Sequence, residues 1–223
     1  MTPEQATRIQ QRLGVTADNA LGPQTFTALF RHMGATDHAA ILGKDAAALF
    51  PEYEITTRFR LAHWLGQFGH ETQGFQKLEE SLFYSSAKRI MAVWPSRFPS
   101  LASAEPFVRN PQALANKVYG GRMGNQRPGD GWRYRGRSAC HLTGSENYLS
   151  AQIWSGLPLH DQPDMAADPE NAILIACTYW KHKCLNFLAD KDDLVAVTAK
   201  INGGTNGIQD RRARTLRALA VLA

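Results

Sequence analysis

The segment from Tyr119 to Ser138 constrains the fold of this chain more than any other. It reads YGGRMGNQRPGDGWRYRGRS and carries six glycines and one proline in twenty residues. Such a stretch predicts a long loop or a small hairpin, not a helix. Apolar residues at helical spacing resume on both sides of it. A loop of this length inside a compact chain usually carries function. A second glycine-rich segment, Asn202–Gly207, lies near the C-terminus. The pattern predicts a mainly α class with glycine-rich loops folded around a cleft.

The helices announce themselves by their ends. Thr2 can cap a helix over 3–13, with Pro3 in its first turn, Ile9 and Leu13 on one face and Gly14 as the stop. A loop follows, then a helix over 23–33 that buries Phe26, Leu29 and Phe30 and ends at Gly34. Residues 1–34 are fewer than the roughly forty usually needed to fold unaided, so this hairpin docks on the rest or shares its core. Further helices are predicted over 37–50, with Pro51 as breaker, and over 58–71, capped by Thr56 or Thr57 with Leu61, Trp64, Leu65 and Phe68 inward. Short helices follow at 86–93 and 112–118, and longer ones at 144–155, 169–188 and 209 to the end. The chain divides into a helical segment, 1–36, and a larger domain, 37–223.

At 223 residues and 43% hydrophobic content, the chain can bury a full core without disulfide staples. Its apolar runs are too short for a membrane span, and the polar start MTPEQATRIQQ has no signal core. Three cysteines are too few for a disulfide framework. The expectation is synthesis in a reducing cytoplasm, a monomer, and no stable membrane insertion. The net charge is +5. Arg122, Arg127, Arg133, Arg135 and Arg137 fall within sixteen residues opposed only by Asp130, and Arg211, Arg212, Arg214 and Arg217 form a second cluster. Such charge favours an acidic partner such as nucleic acid or an anionic envelope polymer, although a solvated helix face accounts equally well for the second cluster.

Metal and nucleophile motifs are thin. His70-Glu71-Thr-Gln-Gly lacks the second histidine of the zinc motif HExxH. A zinc amidase built from His63, His70 and His141 has only scattered residues behind it. Cys177 and Cys184, seven apart on an apolar stretch, read as core residues. Carboxylates say more. Glu71 ends an apolar helix, where burial suits a carboxyl group to act as an acid. On one continuous helix Glu71 and Glu80 would face opposite ways, so cooperation requires a break between them, and Gly74 offers one. Two carboxylates are what glycosidic hydrolysis needs. Most such pairs, however, are solvated surface.

Longer motifs decide between these readings. LAHWLGQFGHETQGFQKLEESLFYS is similar to the first catalytic segment of glycoside hydrolase family 19, the chitinase-like family, in the branch found in phage endolysins. ANKVYGGRMGN, GDGWRYRGR, HLTGSENY and INGGTNGIQDRR follow in the family's order, so the resemblance spans roughly 57–217. IQQRLGVTADNALGPQTFTALF resembles half of a peptidoglycan-binding helical module, and two readings fit it: wall binding, or packing on the catalytic domain.

The resemblance implies a lysozyme-like helical fold and an inverting hydrolase of β-1,4 glycan bonds without metal or cofactor. It implies Glu71 as general acid, Glu80 as general base, and Thr143 holding the attacking water. It places Tyr119, Arg137, His141, Asn202 and Arg211 at substrate-binding positions, with Arg211 also organising the carboxylates. Two positions depart from the family pattern: His141 stands where a glutamine contacts the sugar, and Ser138 where a glycine is usual. The positive charge, the module-like start and the missing signal favour peptidoglycan over chitin, and hence an endolysin acting at the wall after release from the host cytoplasm. The alternatives are a degenerate glycan-binding protein, a chitinase, and an antibacterial effector with the same chemistry. A nucleic-acid binder using Trp132 and Tyr134 as stacking platforms rests on charge alone.

Overall fold

A computed structural model describes residues 1–223. Thirteen α-helices follow in order: α1 (Pro3–Leu13), α2 (Pro23–Met33), α3 (Ala39–Glu52), α4 (Arg58–Glu71), α5 (Ala87–Val93), α6 (Leu101–Ala104), α7 (Pro111–Tyr119), α8 (Asp130–Arg133), α9 (Ser145–Ser155), α10 (Pro169–His182), α11 (Leu185–Ala189), α12 (Leu194–Asn202) and α13 (Ile208–Leu222). There is no sheet; Glu79, Arg137 and Leu142 make isolated antiparallel bridges. No helix is long and apolar enough to cross a membrane. The chain forms two compact units. One comprises Met1–Leu78, Ser138–Cys140 and Ala166–Ala223, and the other Glu79–Arg137 with His141–Met165.

The first unit is built on Trp64 of α4. Its buried indole meets Phe50 and Phe68 edge-on at 4.9 and 4.8 Å and stacks on Phe75 at 6.0 Å. Helix α13 crosses α4 at Gly66, where a Cβ would fall 2.1 Å from Thr215 Oγ1 and 3.0 Å from Thr215 Cα. Only a residue without a side chain permits that approach. Residues 1–36 lie within this same unit, and Phe26 of α2 packs edge-on against Phe50 of α3 at 5.3 Å. The loop after α1 is ordered by buried Gln10. Its amide donates to Asp18 Oδ1, the Ala20 carbonyl and Thr25 Oγ1, and its carbonyl accepts from the N–H groups of Asp18 and Asn19.

The second unit packs α5 to α8 around Leu82, Ile90, Phe98, Leu114 and Val118, with Tyr119 and Trp132 against that core. The glycine-rich stretch is therefore not wholly loop, since α8 lies inside it.

Several helix boundaries differ from those the sequence predicts. Pro51 does not break α3, which runs on to Glu52 before Tyr53 caps it. The stretch 169–188 is two helices, because Cys184 takes a left-handed backbone with φ of 51°. That break turns Cys184 out to solvent, so of the two cysteines expected in the core only Cys177 is there. Helix α12 has no counterpart in the sequence reading. Asp193 caps it through the Ala196 N–H, and its β-branched residues obscure the helical signal.

Candidate active site

The first unit places Glu71 at the C-terminal end of α4, one turn after Gln67, so both project from one face. Arg211, in the first turn of α13 and 1% exposed, reaches both. Its Nη2 donates to Glu71 Oε1, its Nη1 to Gln67 Oε1 at 2.7 Å and its Nε to the Asn206 carbonyl at 3.2 Å. Gln67 is fixed in turn, donating to Thr198 Oγ1 at 2.9 Å. The surroundings of Glu71 are thus not the apolar ones its helix predicts; its partner is a guanidinium.

The last glycine-rich loop fits this station closely. Gly207, with φ of 72°, would put a Cβ 2.3 Å from His70 Nε2, and His70 Nδ1 bonds Asp210 at 2.7 Å. Asn202 is the exposed final residue of α12. Tyr179 donates to the neighbouring Ile201 carbonyl at 3.2 Å. Burial first, then the charges of Cys140 and Glu71, pushes its phenol well above the usual range, which keeps it a donor.

The second unit fixes Glu80 by both oxygens. Tyr119 Oη donates to Oε2 at 2.8 Å, and the Gly136 N–H donates to Oε1 at 2.5 Å. The Glu80 N–H returns a bond to the Gly136 carbonyl at 2.9 Å. The Tyr119 phenol is pushed far up, by burial and then by the Glu80 carboxylate, so it too stays a donor. Each carboxylate oxygen has two lone pairs, so both remain able to accept from a water.

Gly136 makes this geometry possible. A Cβ there would lie 2.6 Å from His141 Cε1, 2.7 Å from His141 Nδ1 and 3.1 Å from Glu80 Oε1. The His141 ring therefore lies beside the carboxylate, held by a left-handed backbone with φ of 54°. Thr143 donates its hydroxyl to the His141 carbonyl at 3.2 Å, leaving its own lone pairs to accept. Ser138 is fully buried with φ of 71°, the left-handed region that suits glycine.

Glu79 and Glu80 are adjacent and go to different partners. Arg137 Nε bonds Glu79 Oε1 at 3.0 Å, and Arg135 Nη2 bonds the same oxygen. Arg137 also donates to Asp164 Oδ1 at 2.5 Å, Tyr148 Oη at 3.0 Å and the Arg133 carbonyl at 2.9 Å. Two cations engage Glu79; Glu80 has only neutral donors. Of the two, Glu80 is the carboxylate without an ion-pair partner.

The residues of the sequence motifs thus gather at two stations, Glu71 with Arg211, and Glu80 with Tyr119, His141 and the turn holding Thr143. Arg137 and Arg211, expected among the substrate-binding positions, are each 1% exposed and bonded to protein groups. They hold carboxylates and present no guanidinium to a ligand. The stacking role considered for Trp132 and Tyr134 also changes. Tyr134 is buried against His160, stacked at 5.1 Å, and Arg135 lies over the Trp132 ring at 3.9 Å. Gly136, Gln67 and Tyr179 were beyond the sequence reading. Only Gln67 carried a signal, its position four residues before Glu71 on one helix.

A curated protein of Haemophilus influenzae, described as a glycosyl hydrolase family 19 domain-containing protein, is 34% identical over 199 residues. The match covers 88% of this chain and 94% of that protein. The chain belongs to glycosyl hydrolase family 19. It is a chitinase-like glycoside hydrolase, although no family-wide profile matches it. Among solved structures, chitinase C from Streptomyces griseus HUT6037 shares the fold at a TM-score of 0.57 and 18% identity, covering 88% of this chain and 93% of its own. A mutant of that chitinase aligns with a TM-score of 0.56. The family 19 chain thus has the mainly helical, lysozyme-like fold that its motifs imply.

Proposed function

We propose that this family 19 enzyme is a phage or prophage endolysin that cuts β-1,4 glycosidic bonds of bacterial peptidoglycan with inversion. Glu71 is the general acid and protonates the leaving oxygen. Glu80 is the general base and takes a proton from the attacking water, which Thr143 helps to hold. Inversion requires the two carboxyl groups to act across about 6.5–9.5 Å, with the water between them. Asn202 and His141 contact the sugar, and the N-terminal hairpin contributes wall affinity.

The observation that carries this reading is the fixation of Glu80. A phenol and a backbone N–H hold both its oxygens while its neighbour Glu79 is tied to two arginines. A glycan-binding protein without turnover has no need of a base aimed in this way. The test incubates wild type, Glu71→Gln and Glu80→Gln with isolated Gram-negative peptidoglycan and, separately, with chitin oligosaccharides. Mass spectrometry then identifies new reducing ends. Wall fragments from wild type alone support the reading. Cleavage of chitin without cleavage of wall makes the enzyme a chitinase, and sedimentation with the wall without cleavage makes it a binding protein.

A further inference from the structure

One cavity of the second unit lies among the partners of Glu79. It has a volume of about 560 Å³ and is lined by Trp132, Arg133, Arg135, Asp161 and Asp164, with Arg137 at its base. A volume in this range suits a ligand of a few residues.

The charges in it are not all spent. Arg137 is neutralised by Glu79 and Asp164, and Arg135 by Glu79. Arg133 is exposed, donates through Nη2 to the Asp161 backbone carbonyl at 2.9 Å, and has no carboxylate bonded to it. The Asp161 and Asp164 side chains are 73% and 87% exposed. The Asp161 carboxylate has one ion-pair contact, with His160 Nδ1 at 4.0 Å, and the Oδ1 of Asp164 is the oxygen that Arg137 holds. The cavity therefore brings together a guanidinium that has no carboxylate partner and accessible carboxylate oxygens. That arrangement complements a ligand bearing a carboxylate and an ammonium a few ångströms apart. Neutral N-acetylated sugars carry neither group.

We infer that this cavity binds the peptide stem of the wall, taking up a diamino-acid unit with a free ammonium and a free carboxylate on one carbon. Arg133 holds the carboxylate by charge-assisted hydrogen bonds, and Asp161 and Asp164 hold the ammonium. The inference rests on the peptidoglycan reading of the Glu71–Glu80 site and narrows it to peptide-bearing strands. The charge balance of the cavity also gives Arg133 and Asp161 a use that the hydrolytic chemistry does not supply.

The test compares two forms of one substrate: soluble glycan strands with their stems, and the same strands stripped of stems by an amidase. Binding of the isolated tripeptide L-alanyl-γ-D-glutamyl-meso-diaminopimelate is measured alongside by calorimetry. Wild type is expected to show a lower KM on peptide-bearing strands. Arg133→Ala is expected to raise that KM about 10-fold, with kcat and both constants on stripped strands unchanged. Asp161→Asn, which keeps the backbone carbonyl that Arg133 uses, is expected to shift KM the same way and guards against misfolding of the arginine variant. Equal KM values on the two substrates, or variants that affect both alike, overturn the inference. If wild type cuts neither strand but cuts chitin oligosaccharides, the peptidoglycan reading has failed. The tripeptide then decides the cavity by itself: binding lost in Arg133→Ala sustains it, and no binding to wild type overturns it.

Discussion

Gly136→Ala is the sharpest perturbation the structure offers. Gly136 is not in the left-handed region, so alanine can adopt its backbone without strain and the effect is purely that of one methyl group. That methyl would sit 2.6 Å from His141 Cε1 and 3.1 Å from Glu80 Oε1. Carbon atoms in contact rest about 3.5–4.0 Å apart, so the imidazole, the turn or both must move by about 1 Å. The Gly136 N–H that holds Glu80 moves with them. A misplacement of about 1 Å at a reacting group costs about 100-fold in rate. Overpacking of a tight site costs about 1–3 kcal/mol of stability, and about 2–4 °C of Tm per kcal/mol for a chain of this size. We therefore expect kcat for glycan hydrolysis to fall about 100-fold, with a modest loss of Tm. Adding His141→Ala removes the two closest clashes, so the double variant should recover most of the lost Tm. Reducing-end release and thermal melting on wild type and the two variants check this. If Gly136→Ala keeps kcat within about twofold of wild type, the argument that Gly136 positions Glu80 is wrong.

Other expectations follow from single positions. Gly66→Ala should destabilise the fold by about 3 kcal/mol or more, because the clash includes Thr215 backbone as well as its hydroxyl, and urea melts will show it. At Ser138, φ of 71° reverses the usual ranking: Ser138→Gly should be more stable than Ser138→Ala by about 1 kcal/mol, since only alanine keeps the left-handed strain. An alanine variant more stable than the glycine variant refutes this. Asp190 is held below its ordinary value of 3.8, chiefly by hydrogen bonds from Arg60 at 2.8 and 2.6 Å. A depressed carboxyl contributes stability that is present above its unfolded value and lost as pH falls through the folded one. Discounted for an Asp190 side chain that is 39% exposed, Asp190→Asn should cost about 0.5–1 kcal/mol at pH 7. The difference should vanish in urea melts well below pH 3.8.

What the sequence made legible had local causes. Thr2 caps α1 through the Gln5 N–H, with Gln5 returning the bond, and Thr57 caps α4 through the Arg60 N–H. Gly14 and Gly34 end their helices in left-handed conformations. These signals lie within a few residues of the boundary they set. What stayed hidden depends on distant partners. The break at Cys184 has no glycine to announce it. It is stabilised where Asn186 accepts from the Trp180 indole and donates to the Tyr53 carbonyl. In the site, adjacency alone gives Glu79 and Glu80 equal standing; the motif resemblance singles out Glu80, and the physical difference between them lies in their partners from residues 119–137. The arginines of that stretch read as charge for an acidic partner, with Arg137 at a substrate-binding position, yet Arg137 is buried because Glu79 and Asp164 come to it from far along the chain.

The assignment of Glu80 as base, not nucleophile, is open to one direct measurement. Proton NMR can follow the anomeric signals of freshly released reducing ends from a β-linked oligosaccharide, with wild type and Glu80→Gln side by side. The account requires the α anomer to appear first with wild type, and turnover by the correctly folded variant to drop by about 10³-fold, within the range that general base catalysis supplies. Initial release of the β anomer, or near-full turnover by Glu80→Gln, would contradict it.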